Sequence, residues 1–275
     1  MSAVRVVTDS ACDLPPSLLS ANEIEVVPHT IRLGSEELTD RAEDREELWA
    51  KIAAAPMPKE TAAPSAARFS SCFDAVANTG AAGILVLTMS AELSASHQAA
   101  VLAGERFGGS VAVRVVDSRT VSMALGFQVL DAARRARQGA NLDDLAASQQ
   151  STGLAIAFDS LDTLRRQGHV GRIQHRIAGW LEQRPIVTVK DGMLVGARRW
   201  KGRDDAGEVL ARTVEVLAAR LVDLAVVTAV PADAEDLTAR LTHLVPPERL
   251  HRSTLGPVIG AYSGPGAIGV AWSTV

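Results

Sequence analysis

Small hydroxyl side chains recur where apolar runs end. Ser90 and Ser94 follow Gly83 to Met89 (GILVLTM), Ser118 and Ser122 follow Val111 to Val116 (VAVRVV), and Thr8 and Ser10 close Val4 to Val7. If these runs are strands feeding helices, the hydroxyls lie at strand carboxyl ends, beside helix N-termini whose first N–H groups are unpaired. Donors gathered there can hold an anion such as a carboxylate without a metal or a lysine. Ser and Thr are also ordinary N-cap residues, so spacing alone leaves capping open as the alternative.

Other constellations carry less chemistry. Gly264, Gly266 and Gly269 (GPGAIG) match the dinucleotide fingerprint by letter, but Val270 to Val275 reads as a strand where that fingerprint needs a helix. The glycines are therefore expected to form a tight turn between two extended stretches. The six histidines include no pair three or four residues apart, and His169 and His175 are poorly spaced for one helical face, which argues against a metal site. Gly260 to Gly264 (GAYSG) lacks the G-x-S-x-G spacing of a nucleophile elbow, and no Walker A sequence occurs. Arg165, Arg166 and Arg172 form one basic cluster. Arg198, Arg199, Lys201 and Arg203 form another, which follows a predicted hairpin and could dock an acidic partner.

The whole-chain arithmetic narrows the function classes. In 275 residues, 28 Lys and Arg against 32 Asp and Glu give a net charge of −4, without the basic field that attracts phosphate backbones. With 5 Phe, 4 Trp and 1 Tyr there is little material for stacking bases, so general nucleic-acid binding is not expected. A 47% hydrophobic and 22% charged composition is that of a globular chain. No apolar run reaches the roughly 20 residues of a membrane span, and the opening residues do not read as a signal peptide. Cys12 and Cys72 are too few for a disulfide framework. A cytoplasmic protein is expected.

Continuous apolar runs alternating with helical patterns (Ser65 to Ala77, from Ser94, and Ser122 to Arg137) predict a parallel α/β sheet covered on both faces. Ile24 to Leu33 reads as a further extended stretch, in which Pro28 requires an edge or a bulge. After about Gly153 the pattern becomes mixed. Leu154 to Phe158 is a strand, and two helical stretches run from Leu161 to Leu181. Arg184 to Trp200 is a hairpin turning at Asp191-Gly192, a helix spans Asp205 to Leu221, and strand Ala225 to Val230 precedes helix Ala232 to Leu244. The fold class is thus α/β in two domains: an N-terminal parallel α/β domain over residues 1–152 and a C-terminal α+β domain with a mixed sheet over 153–275.

In order along the chain, several segments resemble the DegV family of bacterial fatty-acid-binding proteins. Thr8 to Leu14 (TDSACDL) is similar to the family's T-D-S-x-x-D-L, and Glu60 to Ser65 (ETAAPS) to its T-S-x-P-S, with Ala62 for Ser. Ser90 to Ala100 (SAELSASHQAA) follows S-S-x-L-S-G-T-x-Q-S-A, with Ala95 for Gly. Asp117-Ser118, Ser122 and Gly126 match in part a D-S-x-x-x-S-x-G-x-G stretch. Leu161 to Ile173 resembles L-x-x-L-x-x-G-G-R-I, and Gly264 to Ala267 the closing G-P-G-A.

The resemblance implies a long-chain fatty acid buried between two domains, in a non-catalytic carrier with no further cofactor. It implies that the carboxylate is presented to a separate ATP-dependent fatty acid kinase subunit serving phospholipid synthesis. Thr61 and Ser94 would contact the carboxylate. Tyr262 stands where the family has His, and Ser118 and Arg172 are expected in the binding set. The alternatives carried beside it are an α/β enzyme, either a dinucleotide-dependent oxidoreductase or a phosphotransferase, and a scaffold using the Arg198–Arg203 patch.

Overall fold

The structure, a computed structural model, describes residues 3–55, 59–109, 111–158, 184–200, 203–230 and 234–275. The expected helices of Leu161 to Leu181, together with Arg165, Arg166, Arg172 and Lys201, lie outside the described residues.

The apolar runs of the N-terminal half form a parallel sheet in the order β2 (Glu25–Val27), β1 (Val4–Asp9), β6 (Gly83–Thr88), β7 (Val113–Asp117). Alternate residues of each central strand serve opposite faces. Val7, Ile84 and Val86 pack against α3 (Ala66–Ala77) and α4 (Ser96–Arg106) through Phe69, Phe73, Ala100 and Ala103. Val4, Val6, Leu85 and Leu87 face α5 (Met123–Arg137). Burial on both faces is why these strands read as unbroken hydrophobic runs.

Eleven of the fifteen residues of α5 are buried, so this helix is a layer and not a cover. Its far side packs in the same core with Leu154, Ile156, Val187, Ala225, Val227 and Ala271 of a second sheet. Gly126 permits the close approach of α5 to the turn that follows β1: a Cβ there would lie 2.7 Å from the Cys12 carbonyl oxygen.

The second sheet runs β10 (Met193–Trp200), β9 (Arg184–Lys190), β8 (Ser151–Ala157), β13 (Ile268–Thr274), β11 (Leu221–Thr228), β12 (Leu250–Thr254). It is antiparallel except for the β11–β12 pair. Asp191 and Gly192, both at positive φ (52° and 81°), make the tight turn expected between β9 and β10. The outer face of this sheet is closed by α7 (Arg203–Glu215) and α8 (Glu235–Leu241) through Leu210, Val214, Leu237 and Leu241. The helices are shorter than the sequence patterns suggest, since a 3-10 turn at Ala218–Arg220 separates α7 from β11.

Pro28 does more than mark an edge. It divides the Ile24 to Leu33 stretch between two sheets, with β2 at the edge of the parallel sheet and β3 (Thr30–Leu33) central in a small sheet β4 (Glu36–Thr39)–β3–β5 (Lys59–Ala62). Helix α2 (Arg45–Ala54) lies beside it, and Trp49 Nε1 donates to the Leu255 carbonyl at 2.8 Å.

One expectation needs correction. The segment before Gly264-Pro265-Gly266 is not extended but a helix, α9 (Pro257–Ser263), with Pro257 in its first turn. Proline's fixed φ opens the helix, and the small Gly260 lets Trp49 lie against it. The glycine turn therefore joins a helix to β13, and no helix follows those glycines to hold a pyrophosphate.

Candidate functional site

A cavity of about 800 Å³ opens where the carboxyl end of β6 meets the small sheet, α9 and the near edge of the second sheet. Its volume falls within the roughly 300–1,000 Å³ typical of small-ligand sites. Met89, Leu93, Phe158, Leu194, Val258 and Ile259 supply apolar wall, while Thr61, Ser94, Tyr262, His29, His97 and Gln98 supply polar groups. Glu92, exposed to solvent, is the one formally charged side chain among the described lining residues.

Strand register gathers polar groups on one side. Thr61 pairs with Ile31 and Ala62 with Thr30, so Ala63 comes opposite His29, just before the paired residues of β3. The Thr61 and Tyr262 hydroxyls lie 3.2 Å apart, joining β5 to α9. Ser94 Oγ lies 3.0 Å from Ser96 Oγ, which in turn lies 3.0 Å from His29 Nε2, and Ser10 Oγ lies 3.0 Å from His29 Nδ1. His97 Nδ1 and Thr88 Oγ1 form a further pair at 3.2 Å.

The strand-end hydroxyls are thus largely not helix caps. Ala95 and not Ser94 holds the N-cap position of α4, although Ser94 Oγ accepts the N–H of Ser96, and Ser122 sits at positive φ (57°) and donates to Asp13 Oδ2 at 2.5 Å. Ser90 Oγ donates to the Gly192 carbonyl at 2.7 Å, tying the hairpin tip of the second sheet to the loop that carries the cavity wall. Only Ser65, at the start of α3, caps in the ordinary way among the serines named here.

The buried Asp9 carboxylate fixes this loop from below, and Asp13 lies beyond it. Asp9 Oδ2 accepts the Met89 N–H at 2.9 Å and Oδ1 the Ala11 N–H at 3.1 Å. Burial pushes the Asp9 pKa up to about 7, against the pull of those two N–H groups. Asp13 is raised to about 6 by burial, which outweighs Arg45 at 3.1 Å and the Ser122 hydroxyl. Arg45 also donates to Asp40 and to the Ser10 and Thr254 carbonyls, so one guanidinium links β1, the small sheet and β12. His29 is pushed down to about 3, by burial first and then by Arg45, and is neutral near pH 7.

Of the residues singled out in the sequence, Thr61, Ser94 and Tyr262 meet at the cavity. Ser118 does not line it: its hydroxyl bonds the Thr120 N–H and carbonyl within its own turn. Arg172 lies outside the described residues. Arg198 is exposed on β10 beyond a bulge at Gly196, Arg199 pairs with Pro185 on β9, and Arg203 opens α7. Sequence reasoning missed His29, Ser96 and His97. The one signal for His29 was a polar residue directly after Pro28 in an otherwise apolar stretch.

Residues 3–275 match the model of the family described as "Uncharacterised protein, DegV family". The chain belongs to the DegV family. A DegV domain-containing protein of Streptomyces coelicolor is 36% identical over 281 residues, covering 98% of each chain. Another from Mycobacterium tuberculosis is 33% identical, covering 97% of this chain and 96% of its own. Among solved structures, a DegV family protein from Thermus thermophilus described as fatty acid binding is 26% identical. It superposes with a TM-score of 0.82, covering 99% of this chain and 100% of its own. DegV of Bacillus subtilis, 20% identical, shares the fold with a TM-score of 0.87 over the full length of both chains. The paired sheets described above are thus the DegV architecture. Among the described residues no helix is long and apolar enough to cross a membrane.

Proposed function

We propose that this chain binds a long-chain fatty acid in the 800 Å³ cavity, with the carboxylate on the Thr61, Ser94 and Tyr262 hydroxyls. The observation that carries the reading is one cavity combining those hydroxyls with a wall of Met89, Leu93, Phe158, Leu194, Val258 and Ile259. Burying an acyl chain gains roughly 0.8 kcal/mol per CH₂, and the ionised head must then be hydrogen-bonded. Fatty acid binding by the Thermus relative supports the assignment. The division at residues 152 and 153 belongs to the same reading, with the ligand between an N-terminal and a C-terminal unit.

The protein then acts as a carrier that presents the carboxylate to a separate ATP-dependent fatty acid kinase subunit, which phosphorylates it. Arg198, Arg199, Lys201 and Arg203 are the proposed docking patch, supported by the exposure of Arg198 on β10. Arg172 is kept as a candidate ligand contact.

Native mass spectrometry of the purified protein, with lipid extraction from the same sample, tests the first step. A stoichiometric fatty acid is expected. A ligand-free mass together with failure to take up added fatty acid would overturn the reading. For the second step, reversing the four basic charges should abolish acyl phosphate formation by an added kinase subunit while leaving fatty acid affinity intact.

A further inference from the structure

His29 is 1% exposed, yet both ring nitrogens are engaged and it reaches the cavity wall. Ser10 and Ser96, its two partners, are 2% and 0% exposed. The hydrogens of this chain can be assigned by counting donors and acceptors. A serine hydroxyl has one hydrogen and two lone pairs, and a neutral imidazole has one N–H and one acceptor nitrogen. Burial with Arg45 nearby keeps the ring neutral.

Ser10 Oγ already accepts the His29 backbone N–H at 3.0 Å, and its other partner is His29 Nδ1. Were Nδ1 to donate as well, the Ser10 hydrogen would be buried with no acceptor among the described residues, a costly arrangement. Ser10 must therefore donate to Nδ1, which puts the ring proton on Nε2. Nε2–H then donates to Ser96 Oγ, and the Ser96 hydrogen goes to Ser94 Oγ. Ser94 Oγ also accepts the Ser96 N–H at 3.2 Å, so both its lone pairs are filled. Its own hydrogen is left for the cavity.

We infer that His29 is a positioning residue, which makes the Ser94 hydroxyl a hydrogen-bond donor into the cavity by fixing the direction of the Ser10–His29–Ser96–Ser94 chain. The opposite tautomer would turn Ser94 towards Ser96 and offer the cavity only an acceptor, which an ionised carboxylate cannot use. The choice of ligand rests on the fatty-acid reading; the direction of the chain does not. The consequence is selectivity for a carboxylate over the fatty alcohol of equal length, whose hydroxyl can adapt to either direction.

Two measurements test this. Imidazole ¹⁵N spectra should show His29 as the neutral Nε2–H tautomer between about pH 5 and 8. An Nδ1–H tautomer or an imidazolium overturns the inference. By calorimetry, His29→Leu and Ser96→Ala should each weaken fatty acid binding roughly tenfold, the worth of one charge-assisted hydrogen bond, while alcohol binding changes less than about threefold. Equal losses for both ligands, or no loss for either, overturn it. Should His29→Leu fail to fold, Ser96→Ala and the spectra still decide. A wild-type protein that binds neither ligand refutes the fatty-acid reading, and the spectra alone then judge the hydrogen-bond direction.

Discussion

A carboxylate held only by hydroxyls keeps its partners at every pH at which it is ionised. Thr61 and Ser94 are the proposed partners, and replacing both with Ala should weaken fatty acid binding by about two orders of magnitude, at roughly 1.5 kcal/mol or more per charged hydrogen bond. The melting temperature should fall only modestly, since beyond donors that face the cavity the variant removes the acceptor of the buried Ser96 hydroxyl. Titration calorimetry checks it, and unaltered affinity would move the head group elsewhere.

His29 makes a prediction of a different kind. In the folded protein its imidazole stays neutral down to about pH 3, whereas in the unfolded chain it protonates near 6.5. Below 6.5 the unfolded state therefore binds the extra proton, and stability present above that pH is lost as pH falls towards 3. His29→Gln cannot titrate and should lose roughly 2 kcal/mol less than the parent between pH 7 and pH 5. Urea midpoints at both pH values report it, and identical losses would place the acid sensitivity elsewhere. Asp9 and Asp13, with folded values raised by burial, act with the opposite sign in both proteins and cancel from the comparison.

At the scale of elements, α5 is pressed between two sheets and lies close against the turn after β1 at Gly126. Gly126→Ala would place a methyl group 2.7 Å from the Cys12 carbonyl oxygen, a backbone atom with little freedom to retreat. A loss of about 1–3 kcal/mol is expected from overpacking, read as a lower denaturation midpoint. Elements of this kind were legible in the sequence where a local signal agreed with tertiary packing. Continuous apolar runs gave β1 and β6, and Asp191-Gly192 gave the hairpin. Helix α9 was not legible. Its residues, Pro-Val-Ile-Gly-Ala-Tyr-Ser, mix β-branched residues with glycine, and the helix owes its place to Pro257 and to Trp49 packed on Gly260.

For the whole molecule, the proposed boundary at residue 152 falls two residues into β8 and leaves the cores joined. Phe127, Leu125 and Leu130 of α5 share one cluster with Leu154, Val227 and Ala271 of the second sheet, and Arg134 reaches Asp223 at 3.1 Å. Residues 1–152 expressed alone should therefore be insoluble, or bind a hydrophobic dye without a cooperative melt. A sharp unfolding transition would show that the N-terminal unit can rebuild its own surface. The same interleaving limited what the sequence could disclose about the site. Thr61, Ser94 and Tyr262 come from three separate elements, and family motifs rather than spacing brought them together. The neighbours of His29 become visible only when β1, the β2–β3 connection and the start of α4 are assembled.

If the cavity holds the proposed guest, the bond between Ser90 and the Gly192 carbonyl is expected to govern how long that guest stays more than how tightly it is held. The groups expected to set affinity line the cavity, while this contact lies between a hairpin tip and the loop carrying Leu93 and Ser94. Loosening it with Ser90→Ala should speed the escape of a fluorescent fatty acid in stopped flow several-fold, with entry accelerated in proportion and equilibrium affinity preserved. A carrier with that property could have its residence time shortened by a partner touching only the hairpin, and unload its cargo without any change to the groups that grip it.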